Sequence, residues 1–149
     1  MKAFLLTAAF AAIAGLSGCD RSSQGFSLPQ GNAELGEQVF VKYQCLSCHT
    51  MAGYETDTEN LPGSMETPVA LGGQVSRIRT YPELVTSVIN PSHRLAEGYD
   101  GADVQVDGQS VMPSFNDVMT VTELVNLVYF LESHYELEPY PRTEYMSPR

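Results

Sequence analysis

The chain is short of cysteine, of basic residues and of long apolar runs, and each shortage removes a class of protein. Only three cysteines occur in 149 residues. Cys19 stands alone at the end of an amino-terminal apolar stretch, while Cys45 and Cys48 lie three positions apart, so no long-range disulfide framework can be built. Lys and Arg number 8 against 18 Asp and Glu, a formal net charge of −10, which argues against nucleic acid as a partner. The longest apolar run, from Phe4 to Leu16, is too brief for the roughly 20 residues that a bilayer crossing needs. There is no internal repeat and no persuasive strand alternation. What is left is a single domain, because 149 residues at 43% hydrophobic content suffice for one core and fall short of two.

The amino terminus has its own logic. Lys2 followed by the apolar run reads as an export signal over residues 1–18. The end of the run, Leu16-Ser17-Gly18-Cys19, resembles the lipobox of bacterial lipoproteins. That resemblance implies cleavage before Cys19 and acylation of the cysteine, with three chains holding where a single one holds weakly. Asp20 is similar to the signal that retains some lipoproteins in the inner membrane. Cleavage without lipidation is the alternative, since ordinary secretory signals also end in small residues. The expected location is the periplasmic side of a bacterial membrane, lipid-anchored, with the inner membrane favoured.

Residues 19–31, largely DRSSQGFSLPQG, are polar and rich in Ser and Gly. They read as a flexible tether, and twelve such residues reach about 20 Å. A folded domain is expected over 32–137 and an extended, proline-rich tail over 138–149. Within the domain, Asn32 is a plausible N-cap for a helix whose apolar stripe is Leu35, Val39 and Tyr43, with Phe40 beside it. Thr80 and Glu83 form a capping-box pair ahead of Leu84, Val85, Val88 and Ile89, and Asn90-Pro91 ends that second helix. Thr120 and Glu123 repeat the device before Leu124, Leu127, Val128 and Leu131, with Pro139 as the limit. The pattern predicts an all-α fold of three or more helices joined by long loops, from Thr50 to Arg79 and from Pro91 to Met119. Loops of that length cost a small domain much entropy unless something central organises them.

The segment that carries chemistry is Cys45-Leu46-Ser47-Cys48-His49, of the form CxxCH, the attachment signature of c-type haem. Two thiols at this spacing can add to the two porphyrin vinyl groups while the next residue offers an imidazole to iron. A thioredoxin-like redox pair would need a strand before the motif and a helix after it. Zinc would need further ligands, and His93 and His134 are the only other histidines.

With these residues the chain resembles the class I c-type cytochromes from about Asn32 to about Tyr135. Gly36 and Phe40 match the glycine and aromatic with which the family's first helix crosses its last, and Tyr129 or Phe130 with Leu127 would oppose them. The resemblance implies one covalent haem c on Cys45 and Cys48, with His49 as one axial ligand. Met112, followed by Pro113 and preceding the last helix, would be the other; Met119 and His93 are the alternatives. It also implies a carbonyl acceptor for the His49 ring near a proline, either in Thr67-Pro68-Val69-Ala70-Leu71-Gly72 or at Leu61-Pro62. Arg77 or Arg79 would pair with a haem propionate.

The function so implied is that of a one-electron carrier of relatively high potential, with both axial positions filled and no catalytic residues. Its partners would be redox proteins with basic docking surfaces and the membrane, with no small-molecule substrate. The competing readings are an electron-transfer subunit of a dehydrogenase or oxidase complex, a small haem peroxidase, or a haem-based sensor.

Overall fold

The computed structural model describes residues 28–55, 63–77 and 79–139. The signal, Cys19, most of the tether, Leu61-Pro62 and the tail from residue 140 lie outside them.

Helix α1, Ala33–Lys42, starts where the Asn32 side chain accepts the Leu35 backbone N–H at 2.9 Å. Its buried face is Gly36, Val39 and Phe40, whereas Leu35 is 47% exposed. The stripe therefore sits one residue round from the expected one. The cause is Gly36: a Cβ there would lie 2.1 Å from the Asn126 carbonyl oxygen and 2.6 Å from Phe130 Cβ. Only a missing side chain lets the two backbones approach so closely. Gly31, assigned to the tether by its composition, packs the same way against Val125 and Tyr129.

Helix α2, Tyr81–Ile89, and the short α3, Gly101–Val104, precede α4, Val121–Glu132. Both expected capping boxes form, Thr80 with Glu83 and Thr120 with Glu123. Each satisfies two backbone N–H donors near a helix start, those of the threonine and of the glutamate. Helix α4 buries Val125 to Val128, Phe130 and Leu131, and both α1 and α2 pack against it. Phe40 and Val128 are the largest fully buried side chains. Phe40, Tyr54 and Phe130 stack around one another at centroid distances of 5.5 to 6.0 Å. Asn126, buried on α4, accepts the Asn32 backbone N–H at 2.9 Å and so ties the start of α1 to α4. At the other end of α1, Lys42 pairs with Glu123, and this bond with those from Thr120 holds the Glu123 carboxyl down at about 2.

The all-α expectation is corrected by six short strands among the described residues. Strand β1, His49–Met51, runs parallel to β2, Val69–Leu71; β3, Gly73–Val75, runs parallel to β6, Tyr135–Leu137; β4, Gln105–Val106, and β5, Gln109–Ser110, are antiparallel. The fold is a mixture of helices and two-stranded ladders. Among the described residues no ladder exceeds three residue pairs, too few for a period of two to rise out of the sequence. Two of them join segments far apart in the chain, so no local turn announces them. The third is a hairpin closed by Asp107 and Gly108 at φ 51° and 78°, the positive values that a tight two-residue turn requires and that Asp-Gly suits.

Candidate haem site

The chain leaves α1 through Gln44, which takes a left-handed φ of 53°, and enters a 3-10 turn over Cys45–Ser47. The turn closes when the Cys48 N–H donates to the Cys45 carbonyl at 3.1 Å, and the Ser47 hydroxyl caps Gln44 at 2.7 Å. Leu46 points into the core. Cys45 and Cys48 are half-buried thiols on the wall of a single cavity, and His49 follows directly on β1. The local order is therefore helix, turn, strand. That is the reverse of the arrangement a thioredoxin-like pair needs. Burial also pushes the Cys45 thiol up to about 11, away from the low values of reactive redox cysteines.

His49 is held by its second nitrogen. Nδ1 lies 3.1 Å from the Val69 carbonyl oxygen, and since a carbonyl can only accept, Nδ1 carries the proton and the lone pair resides on Nε2. Burial lowers the imidazole below its usual range, against the Val69 bond, which raises it, so the ring is neutral at neutral pH. A neutral ring with Nδ1 engaged and Nε2 available is the form that ligates a metal. The acceptor belongs to the residue after Pro68, and it is set by strand pairing: His49 stands opposite Val69, and the Val69 N–H donates to the Cys48 carbonyl at 2.9 Å.

The cavity has a volume of about 400 Å3 and lies between α1, β2, α2, the loop from residue 91 to 119, and α4. This is within the range of about 300–1,000 Å3 for small-molecule and cofactor sites. Its apolar wall includes Phe40, Leu71, Leu84, Val88, Leu127 and Leu131. The cavity brings together Cys45, Cys48, His49, Met112, Met119, His93 and also Met65. Met51 is buried in the core instead, and His134 stacks on Phe130 with its Nδ1 bonded to the Phe130 carbonyl, outside this wall.

The rivals for the position opposite His49 differ in how they are held. Met119 packs against the core cluster at the foot of α4. Met112 is half-buried on the loop and no part of that cluster; its N–H donates to the Ser110 hydroxyl at 3.2 Å, and the Ser110 N–H donates to the Ser92 hydroxyl at 3.0 Å. These bonds clasp the Met112 loop to the 3-10 turn Pro91–His93. His93 is exposed at the cavity rim, its Nδ1 committed to the Asn90 carbonyl at 2.8 Å.

Arg79 lines the cavity, whereas Arg77 faces a neighbouring open groove with Gln74 and Glu138. Contributors that nothing in the sequence singles out include Arg94, paired with Glu83 at 3.3 Å, and Tyr99 and Val111 on the cavity wall. Nothing periodic marks them, since all three sit in loop positions.

The residues present fit a haem. Two thiols, an imidazole with Nε2 available and thioethers from Met112 and Met119 surround an apolar space that Arg79 and Arg94 also line. Among the described residues no three His, Cys, Asp or Glu side chains gather as a metal site. No helix among the described residues is long and apolar enough to cross a membrane. The chain matches no protein family model, no curated protein and no solved structure.

Proposed function

We propose that this chain is a membrane-tethered monohaem c-type cytochrome that carries single electrons between protein partners, with haem c bonded to Cys45 and Cys48 and His49 and Met112 as axial ligands. The observation that carries the reading is the CxxCH turn facing an apolar cavity with the imidazole of its own histidine oriented by Val69. When bound, haem supplies reversible one-electron exchange at its iron.

The chain supplies the rest. Cys45 and Cys48 would hold the group covalently through their two thiols on the cavity wall. The Val69 carbonyl keeps the His49 ring from rotating and raises its basicity. Phe40, Leu84, Leu127 and Leu131 exclude water, which disfavours added positive charge and supports a relatively high potential. Ser92 and Ser110 hold the Met112 loop against the cavity.

Charge supports a basic partner. From Leu95 to Val118 the loop forming one side of the cavity carries Glu97, Asp100, Asp103, Asp107 and Asp117 and no lysine or arginine. An acidic segment of this kind steers encounter with basic surfaces and loses that advantage in salt.

Met112→Ala is expected to remove the near-infrared sulfur-to-iron charge-transfer band of the oxidised protein while leaving haem covalently attached. Persistence of the band would assign the ligand to Met119. The tether has its own check: Cys19→Ala is expected to release the domain from membranes into the soluble fraction, and unchanged partition after washing would rule out a lipid anchor at that residue.

A further inference from the structure

The peptide group between Val69 and Ala70 is hydrogen-bonded at both ends. Its carbonyl accepts from His49 Nδ1 at 3.1 Å, and its N–H donates to the Tyr99 hydroxyl oxygen at 2.9 Å. The two ends are one resonant unit, so engaging the N–H shifts electron density to the oxygen and makes it a better acceptor. We propose that Tyr99 is a positioning residue that tunes the His49 imidazole through the Val69–Ala70 peptide, a role that rests on the haem reading above.

Placement adds to the argument. Tyr99 stands on the loop ahead of α3 and lines the same cavity as His49. It therefore ties that loop to the strand carrying the histidine's acceptor. Strand β2 pairs with β1 over only three residues, and an anchor on its middle residue limits how far the Val69 carbonyl can drift from Nδ1. Tyr99 thus acts twice on one bond, by position and by polarisation.

The sign of the effect follows. A stronger Nδ1–H···O bond gives the ring more imidazolate character, which makes Nε2 a stronger donor and favours the ferric state. Tyr99 lowers the reduction potential relative to a chain without its hydroxyl. Water replacing the phenol on the Ala70 N–H is mobile and restores only part of the polarisation.

The test uses the full exported chain. Covalently bound haem is measured first in the unaltered protein, because its absence there defeats the haem reading itself and not the role of Tyr99. In Tyr99→Phe, haem is expected to stay attached, the Ala70 amide to exchange faster with solvent, the His49 Nδ1 proton resonance to move, and the midpoint potential to rise. A variant that is less heat-stable but has the same potential and the same His49 resonance would make Tyr99 merely structural and overturn the proposal. Should Tyr99→Phe fail to mature, 3-fluorotyrosine at position 99, kept below its ionisation, preserves the shape with a poorer acceptor oxygen. It is expected to give a smaller rise in potential, and no shift would equally overturn the proposal.

Discussion

The double variant Cys45→Ala/Cys48→Ala is expected to leave the exported protein with no haem that survives denaturation. Both thiols face the cavity from one turn, and no other cysteine lies in the folded domain, so no substitute sulfur is available. Any bonds from His49 and Met112 to the iron would hold only while the fold does and would part when it unfolds. Each single variant keeps one link, so a reduced but measurable covalent signal is expected from Cys45→Ala or Cys48→Ala alone. The native state also suffers. Loops from residue 63 to 77 and from 91 to 119 enclose the cavity, held by two- and three-residue ladders and a few single hydrogen bonds, and a bound group that favours the folded state stabilises it by mass action. The check is haem absorbance or haem-dependent staining after denaturing electrophoresis, together with a thermal melt. Full covalent signal in the double variant would refute the attachment site.

Gly36→Ala should be the most damaging single-methyl change in the fold. The added Cβ would fall 2.1 Å from the Asn126 carbonyl oxygen and 2.6 Å from Phe130 Cβ, and α4 must move because backbone cannot swing aside as a long side chain can. Overpacking of this kind costs about 1–3 kcal/mol and sometimes more. Alanine's better helix propensity returns at most about 1 kcal/mol. The packing term wins, and a net loss of about 1–2 kcal/mol corresponds to a melting temperature lowered by roughly 5–10 °C for a domain of this size. The displacement also opens the Phe40–Phe130 contact, now at 5.5 Å between ring centroids, on the side of the core next to the cavity. Thermal unfolding of the haem-loaded protein measures it, and a melting temperature equal to or above that of the parent would contradict the crossing described here.

Where the chain announces itself, it does so through local chemistry. The capping boxes at Thr80 and Thr120 need only residues three apart, and both helices begin there. Cys45, Cys48 and His49 are likewise adjacent, so their place on one turn follows from spacing. Leu35 misled because a four-residue repeat ranks side chains by size and ignores Gly36, whose small volume, not its hydrophobicity, selects the buried face. The ladders were invisible for a different reason. His49 pairs with Val69 and Gly73 with Tyr135, registers that exist only once the intervening chain has folded back. The Asp107-Gly108 turn did carry a signal, with Val104 and Val106 alternating ahead of it, but two pairs of residues are too short a ladder to suggest a strand. Tyr99 had none, because its hydroxyl acquires a role only when its loop reaches Ala70.

The most direct measurement is the intact mass and visible spectrum of the unaltered, exported protein after denaturation, followed by alkylation of any remaining thiols. A red polypeptide heavier by one haem, with Cys45 and Cys48 inert to the alkylating reagent, is the result this account predicts. A colourless chain of unmodified mass in which both cysteines react would contradict it.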